Sequence, residues 1–494
     1  MRRKLLLILA LISLPAALNA GDISITFDKA RYGVSAGESV TIEYSLPKEG
    51  KVTVAPSNGW TAEIKANGGR QGTITVTAPD PATEPSLRAV AVFPGADEAV
   101  AKLPIMVKDP FTAATRTTVD LLPFGGLMKE ITTLEDYQKV KDAGFTMITL
   151  EGGEKYDMDG DGVLTDEDMM ATLRFKLDLI KKVGLKYSLH HPQLESVIAE
   201  VKDDPDLMMV HIFDEPGLWQ IPWLKQRRDW VKSVAPDVPV HINLHPEASI
   251  RAMGTDSYRD YITRMVDGTG MDILSYDQYP VMADNSVMNY WYKCMEVNSD
   301  VARRHSIPFW AFTASCWMED EHRRMPDMTN MRLQVYTDFA YGAEVVQYFV
   351  YRAYSVATLA PVMIDGTYTE LYDLLKEFNA EMHKRGFVFK GCKVPKTRFT
   401  HLTPWTCLPL IPEDLPASVP FIDTDVTALV SFVENGFNRY IVLVNSSTVA
   451  KCTAEVEFAE MAYTIDREGV FHEHQPGREK FVMDEGDMLV IKYR

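Results

Sequence analysis

An apolar run that ends in two adjacent carboxylates, Met208–Gly217, offers the clearest candidates for acid–base chemistry. Runs of this kind, bounded by Pro and Gly, are typical of strands buried on both faces of a parallel sheet. Regular alternation along the strand would place Glu215 on the same face as His211, and Asp214 on the opposite face. Glu215 would then point into the sheet at its carboxyl end, where α/β enzymes hold their catalytic groups. In the simpler alternative, Asp214 caps a helix and Glu215 is only solvated.

Every predicted strand but the seventh ends in polar or aromatic side chains that could contact a substrate at the same rim. The predicted substrate-binding residues are Asp214, Glu151, His190, His241, Asn243, His245, Tyr276, Tyr279, Trp310, Gln347 and Tyr351. Histidines inside strands are also common as core residues with satisfied hydrogen bonds. Either a core role or substrate binding suits His190, His241 and His245. For His211 the core role is favoured. A zinc site that combines these histidines with Asp277 is less favoured, because the sequence has no HxH-type or HExxH spacing.

Two carboxyl groups on either side of a glycosidic bond are what glycoside hydrolysis requires, one as acid and the other as nucleophile or base. We expect Glu215 to protonate the leaving oxygen. Asp277, at the end of the sixth predicted strand, is the first choice for the second group, with Glu151 and Glu319 behind it. Because strands four and six are not neighbours, the gap between Glu215 and Asp277 would be wide, which favours inversion over retention.

Three segments resemble secreted bacterial family 42-like (β-galactosidase-type) barrels of clan A of the glycoside hydrolases. They are Phe213–Gly217, which resembles an Asn/Asp-Glu-Pro acid/base motif, Ser275–Pro280 and Ala340–Phe349. The likeness covers residues 118–390. It implies that Glu215 is the general acid/base, and that Asp214 takes the place usually held by an asparagine that contacts the sugar 2-hydroxyl.

The sequence departs from this resemblance at the seventh strand. Clan members carry a glutamate nucleophile at the end of that strand, whereas Phe309–Trp317 contains no carboxylate, and Glu319 is the first one after it. Either the second carboxyl group comes from elsewhere or the barrel has lost hydrolysis. A non-catalytic carbohydrate-binding barrel is therefore the alternative hypothesis.

An acidic loop after the second predicted strand matches the EF-hand pattern at positions 1, 3, 5, 6, 8, 9 and 12. Its predicted calcium ligands are Asp157, Asp159, Asp161, the carbonyl of Val163, and Asp168. Gly162 permits the sharp turn, and Leu164 would anchor the loop to the core. An acidic solvated turn is the alternative. We expect one structural Ca²⁺ that stiffens a loop at the mouth, and no organic cofactor.

The elements that must position these residues alternate between apolar strands and amphipathic helices from Val119 onward. The predicted strands are Val119–Phe124, Phe145–Glu151, Leu185–His190, Met208–Glu215, Val238–His245, Met271–Asp277, Ile307–Thr313 and Glu344–Tyr351. Eight such units predict an α/β (β/α)8 TIM barrel over residues 118–390. A doubly wound sheet is less favoured, because no Gly-rich fingerprint follows the first strand.

Short alternating strands flank the barrel on both sides. Residues 21–108 predict an N-terminal immunoglobulin-like β-sandwich, although the Cys…Trp…Cys pattern is missing, and residues 391–494 predict a C-terminal β-sandwich, docked or tethered. The N-terminal module fits a spacer better than a carbohydrate-binding or partner-binding role.

Residues 1–20 combine a basic start, an apolar stretch and small residues, which predicts a signal peptide and a secreted or periplasmic protein with no later membrane insertion. A net charge of −18, from 51 basic and 69 acidic residues, argues against nucleic acid as a partner and suits a neutral carbohydrate or a cation. Five cysteines show no metal-binding spacing; Cys392–Cys407 is the one pair considered as a disulfide. Oligomeric state is not readable from the sequence.

Overall fold

The computed structural model describes residues 24–29, 32–34, 37–55, 59–79, 87–95, 98–107, 118–124, 133–288, 290–318, 322–403, 407–436 and 438–493. The predicted signal peptide and Glu319 lie outside these residues. The chain divides into two compact units, Met1–Arg116 and Thr117–Arg494.

Eight parallel strands in the second unit form one sheet that closes into a barrel, as predicted. They are Asp120–Pro123, Met147–Glu151, Lys186–His190, Leu207–Asp214, Val240–Leu244, Ile273–Tyr276, Phe309–Ala314 and Val345–Phe349, called barrel strands one to eight below. The order in the sheet is one, eight, seven, six, five, four, three, two. The Thr146 N–H donates to the Leu121 carbonyl at 3.1 Å, which joins strands one and two and completes the ring. Strands four and six therefore flank strand five and are not adjacent.

Helices cover the outside of this barrel and are numbered α1 to α9. Their bounds are Leu134–Asp142, Asp166–Val183, Glu195–Val201, Ile221–Val234, Ile250–Met253, Tyr258–Thr269, Trp291–His305, Met328–Ala340 and Glu370–Phe389. Local signals set their ends: Thr165 and Asp168 form a capping box at the start of α2, and Gly184 ends α2 with a φ of +72°. The apolar side of each helix then packs on the outer face of the strands.

The barrel interior is built in layers. The lowest layer is apolar and contains Leu122, Met147, Met209, Ile273, Trp310 and Val345. A row of buried imidazoles, His190, His211 and His241, lies in register on three adjacent strands above it and is called the imidazole row below. Inward side chains beyond this row stand at the carboxyl ends of the strands, which form the barrel mouth.

The first unit consists of short strands in three sheets. One sheet contains Thr26–Phe27, Ser39–Ser45, Gln71–Thr77 and Thr61–Asn67; another contains Lys51–Ala55, Arg88–Val92 and Glu98–Lys102; Tyr32–Val34 pairs with Ile105–Val107. The first two sheets share one apolar core, which includes Ile42 and Ile74 from the first and Ala89 and Ala91 from the second. The predicted β-rich character of this region is confirmed by these strands.

The C-terminal region also consists of strands, in sheets of six and three. The larger contains Lys393–Phe399, Ala428–Asn435, Asn438–Asn445, Met488–Tyr493, Ala462–Ile465 and Phe471–His474, and the smaller Phe421–Thr424, Cys452–Phe458 and Gly477–Met483. This region is docked on the barrel helices rather than tethered. The Ser431 hydroxyl donates to the Ala340 carbonyl of α8 at 2.6 Å, and the buried Arg385 of α9 donates to the Met488 carbonyl at 3.3 Å.

Two smaller expectations were tested by the described residues. The considered Cys392–Cys407 disulfide is wrong, because these two cysteines do not form a disulfide bond. Among the helices that the structure describes, none is long and apolar enough to span a membrane.

Candidate active site

A β-bulge in strand four decides which of the two adjacent carboxylates points into the barrel. His211 pairs with His241 of strand five, but the register then shifts, so that Phe213 pairs with Ile242 and Asp214 with Asn243. The bulge moves Phe213 to the outer face and Asp214 to the inner face. The prediction that Glu215 shares the face of His211 and that Asp214 lies opposite is therefore wrong. Bulges that redirect a side chain in this way are common beside active sites.

Glu215 still reaches the mouth, through an unusual backbone conformation. Its φ is +48°, in the left-handed region that non-glycine residues rarely adopt, and its N–H donates to the Asn243 carbonyl at 2.9 Å. The Glu215 side chain is 38% exposed, and its Oε1 atom lies 3.3 Å from Nδ1 of His245. The strand-five loop thus orients Glu215, and His245 stands where it was predicted.

Asn243 holds the two aspartates of the mouth together. Its Nδ2 donates to Asp214 Oδ1 at 2.9 Å and to Asp277 Oδ1 at 3.2 Å. Its Oδ1 accepts from the Ser275 hydroxyl at 2.9 Å, and Ser275 in turn accepts from Nε2 of Gln347, also at 2.9 Å. Because Oδ1 of Asn243 is occupied by Ser275, both amide hydrogens are directed at the carboxyl groups. The chain from strand eight to strand four fixes the position of both aspartates.

The charges of this cluster oppose one another. Burial, followed by the negative charges of Glu215 and Asp214, raises the pKa of Asp277 well above its ordinary value. Asp214 remains open to solvent at the mouth, yet desolvation by the surrounding barrel raises its pKa too, and Asn243 partly opposes this. Asp277 is the group in this cluster that most strongly retains a proton.

The imidazole row lies below the carboxyl groups and does not reach the mouth. Nδ1 of His211 and Nδ1 of His241 are 2.8 Å apart, and Nε2 of His190 is 2.9 Å from the Ser188 hydroxyl. Burial lowers the pKa of all three imidazoles well below the ordinary value. His211 is a core residue as expected, whereas His190 and His241 are too deeply buried to contact substrate directly. Within the described residues these histidines and Asp277 do not form a metal-sized group of ligand atoms, so the zinc alternative gains no support.

Four other predicted substrate contacts lie away from the mouth. Tyr276 points outward, where its hydroxyl donates to Sδ of Met295 on α7, and Tyr351 packs edge-on against Phe145. Trp310 belongs to the lowest apolar layer, and Gln347 is fully buried behind Ser275. The prediction of direct substrate contact is wrong for all four, because alternation and depth in the barrel were misjudged.

Tyr279 and Glu151 are at the mouth, as predicted. Tyr279 is half-buried, and its ring stacks on Phe349 with centroids 5.2 Å apart and planes 18° apart. Glu151 is exposed and lies 3.6 Å from Nδ1 of His191, a residue that sequence reasoning did not select. Ser275 was also not selected, although its position two residues before Asp277 places it on the same face of strand six.

Strand seven supplies no carboxylate among its described residues, as the sequence indicated. Phe312 points inward against Phe124, with ring centroids 5.0 Å apart, and the Ala314 N–H donates to Oε1 of Gln334 at 3.0 Å. Cys316, just beyond, is buried in an apolar cluster with Met318 and Val350. Any second carboxyl group in the described part of the mouth therefore comes from another strand, and the charge of Glu215 raises the pKa of both Asp277 and Asp214.

The acidic loop before α2 has a ligand-like arrangement. Carboxylate oxygens of Asp157, Asp159 and Asp161 lie within 4.8 Å of one another, and the Gly162 N–H donates to Asp157 Oδ2 at 2.9 Å. Asp168 instead caps α2: its Oδ2 accepts from the N–H and hydroxyl of Thr165 at 2.9 and 2.8 Å.

The hydrophobic anchor predicted for this loop is wrong. Leu164 is 51% exposed and does not hold the loop to the core. The neighbouring Val163, whose carbonyl is a predicted ligand, is exposed as well.

The second unit therefore contains a (β/α)8 barrel with a cluster of carboxyl groups at the carboxyl ends of strands four and six, the end at which barrels of this fold carry their active sites. Within it, residues 199–363 match the model of glycoside hydrolase family 42, described as Beta-galactosidase (Glyco_hydro_42). This match confirms the resemblance to clan A glycoside hydrolase barrels that strands four, six and eight indicated.

Solved structures of several glycosidases are similar to about half of the chain. The β-galactosidase of Marinomonas ef1 is 12% identical over 54% of this chain and 60% of its own, with a TM-score of 0.38. A family 5 mannosidase from Rhizomucor miehei is 11% identical over 54% and 93%, with a TM-score of 0.38. Xylanase 10B from Thermotoga maritima is 11% identical over 55% and 97%, with a TM-score of 0.36. No curated protein matches the sequence.

Proposed function

We propose that this protein is a glycoside hydrolase that cleaves O-glycosidic bonds of an oligo- or polysaccharide with Glu215 and Asp277. The observation that carries the proposal is the arrangement around Asn243, which places Asp277 and Asp214 on one amide while Glu215 couples electrostatically to Asp277. The family match over this part of the barrel supports the reaction class.

The electrostatics suggest how the two groups divide the work. The raised pKa of Asp277 favours its protonated form, so we assign Asp277 to protonate the leaving glycosidic oxygen. Glu215, with its carboxylate partly open to solvent, then activates water or attacks the anomeric carbon as the bond to the protonated oxygen breaks. This assignment exchanges the roles that the family resemblance implies, in which Glu215 is the acid. Asp214 and Asn243 hold the pair in place.

The experiment compares hydrolysis by the wild type, Glu215→Gln and Asp277→Asn. Natural glycans and nitrophenyl glycosides of galactose, mannose, xylose and glucose serve as substrates. Either substitution should lower kcat on a natural glycan by about 10³-fold, within the usual contribution of acid–base catalysis. Asp178→Asn is the matched control, since this aspartate on α2 is exposed and paired with Lys182. Equal turnover by the wild type and both site variants would remove the proposal.

Leaving-group dependence distinguishes the two assignments of role. Loss of the acid spares substrates with good leaving groups, because these need no proton to depart. If Asp277 is the acid, Asp277→Asn should retain much of its activity on nitrophenyl glycosides, whereas Glu215→Gln should not. The opposite pattern would restore Glu215 as the acid.

The absence of a carboxylate on strand seven, within its described residues, favours a second candidate function. In that alternative the barrel binds a carbohydrate without cleaving it. Glycan binding by the wild type with no product release, unchanged in Glu215→Gln, would support it.

We propose that Asp157, Asp159 and Asp161, with the Val163 carbonyl and Asp168, bind one structural Ca²⁺. Three carboxylates that already converge, and the Gly162 turn, support this proposal. Asp168 would have to exchange its capping bonds to Thr165 for the cation. The role is to stiffen the loop after strand two, and the cation takes no part in the reaction.

We further propose that residues 21–108 form an immunoglobulin-like β-sandwich and residues 391–494 a C-terminal β-sandwich. The core shared between two N-terminal sheets supports the first, and a C-terminal core that joins Ile441 to Val456 supports the second. Both are non-catalytic modules in this account.

A further inference from the structure

Two tryptophans beside the strand-four carboxylates expose large parts of their rings. Trp219 is 66% exposed and Trp223 is 47% exposed, whereas Trp60, Trp291 and Trp310 are buried. An exposed indole leaves apolar surface in water, and adjacent exposed apolar groups commonly mark a binding surface.

The Trp219 ring lies against two glycines, which leave room for it because they have no side chain. A methyl group on Gly217 would fall 2.2 Å from the six-membered ring of Trp219, and one on Gly254 would fall 3.4 Å from it. Gly217 belongs to the loop after strand four, and Gly254 ends the short helix α5 after strand five. The Trp219 ring therefore lies beside the segments that follow strands four and five, and Gly217 is two residues after Glu215 in the chain.

Trp223 lies four positions after Trp219 in the chain, on α4. Its ring contacts Phe213 edge-to-face, with centroids 5.3 Å apart and planes at 73°, so the strand-four bulge also supplies the support for Trp223. Further along α4, the Arg227 guanidinium stacks on Trp230 at 3.9 Å and donates to the Pro192 carbonyl of the loop after strand three. Neighbouring side chains thus support Trp223 and Arg227 along α4.

The spacing of Trp219 and Trp223 and the charge of the mouth select a chemical class of ligand. The two tryptophans are four positions apart in the chain, about 6–8 Å along a helix, which is close to the length of one pyranose unit. The faces of pyranose rings are apolar and their edges carry hydroxyls, so they suit flat aromatic surfaces. The charge of Glu215 at the mouth would repel an anionic chain.

We propose that Trp219 and Trp223, the tryptophan strip, bind two consecutive neutral sugar units of a glycan chain whose scissile bond lies at the carboxyl cluster. The catalytic end of this inference rests on the proposed hydrolase function. The strip makes the enzyme selective for chain length, because only an oligosaccharide extends from Glu215 onto α4. A monosaccharide glycoside does not reach it.

The test measures binding and hydrolysis in the full-length protein. The probes are neutral galactan, mannan, xylan and glucan oligosaccharides of increasing length, and nitrophenyl monoglycosides. We compare the wild type with Trp219→Ala, Trp223→Ala and the double variant. Trp219→Phe tests rescue by another aromatic ring, and Val482→Ala, at an exposed apolar residue of the C-terminal sheet, is the matched control. Calorimetric titration reports binding, and product release reports turnover.

The inference predicts that each alanine variant weakens binding and kcat/KM about tenfold on long oligosaccharides, equivalent to ~1.4 kcal/mol. Turnover of monoglycosides should remain unchanged, and Trp219→Phe should restore much of the loss. If the wild type binds oligosaccharides without hydrolysis and the variants lose that binding, the strip stands while the hydrolase proposal fails.

Three results would overturn the strip. In the first, the wild type hydrolyses glycans and the double variant shows the same dependence of binding and kcat/KM on oligosaccharide length. This result would leave the hydrolase proposal intact. The second is an equal loss on monoglycosides and oligosaccharides. The third is a lowered melting temperature with no change in glycan binding, which would indicate that the tryptophans pack against another part of the protein.

Discussion

Asn243 is the residue whose removal tests the geometry of the mouth most fully. It is nearly fully buried, and its amide donates to Asp214 at 2.9 Å and to Asp277 at 3.2 Å while Ser275 fixes its orientation. Asn243→Ala removes both donations and leaves the Ser275 hydroxyl without this acceptor. The variant keeps every proposed catalytic group, so any loss of activity must come from position and charge.

The expected magnitude follows from the two hydrogen bonds. A hydrogen bond to a charged group contributes about 1.5–3 kcal/mol, and the solvent access of Asp214 places its bond at the low end. A combined loss of about 3 kcal/mol in the transition state corresponds to roughly a 100-fold lower kcat. The amide also lowers the pKa of both aspartates, so its removal should raise the pKa of each, and the alkaline limb of the pH profile should move to higher pH.

The assay is kcat and kcat/KM over a range of pH, on the best substrate of the wild type. Asn379→Ala is the matched control: this fully buried asparagine bonds the Ala143 carbonyl and the Tyr348 hydroxyl at 2.8 and 2.7 Å, away from the mouth. The control should lower the melting temperature but leave kcat and the pH profile unchanged. A folded Asn243→Ala variant with kcat within threefold of the wild type and the same pH profile would refute the reasoning.

Three further predictions concern stability. Because the pKa of Asp277 is raised in the folded state, the free energy of unfolding falls as pH rises above the ordinary carboxyl range. Asp277→Asn should remove this loss and increase the free energy of urea unfolding at neutral pH by about 1 kcal/mol. No gain in this variant would contradict the burial of the Asp277 charge. The imidazole row has pKa values lowered by burial, so stability should decline as pH falls below about 6.5, and His190→Asn should flatten that decline; an unchanged slope would contradict it. A chelator should lower the melting temperature of the wild type, and added calcium should restore it. The melting temperature of the Asp157→Ala/Asp161→Ala variant should change with neither treatment. An unchanged calcium response in that variant would contradict the proposed calcium site.

The barrel could be predicted from the sequence because each of its strands is a continuous apolar run separated from the next by a helical pattern. Strands buried on both faces leave a strong local signal of this kind. The convergence of Asp157, Asp159 and Asp161 also follows from their close spacing in one short loop. Both features depend on residues close together in the chain.

The inner surface of the barrel was less predictable, for two physical reasons. The strand-four bulge depends on register with strand five, and a single inserted residue moves Asp214 to the inner face. Depth inside a barrel depends on strand tilt and stagger, which alternation does not encode. For this reason His241 and Trp310 lie below the mouth although their types suit a sugar-binding site.

The most direct test of the central claim is a crystal structure of Asp277→Asn with the oligosaccharide that the wild type cleaves best. The account predicts that the scissile glycosidic oxygen lies between Glu215 and Asn at position 277, with the sugar ring on the exposed side of Asp214. An oligosaccharide bound with its glycosidic oxygen out of reach of both positions would contradict the account.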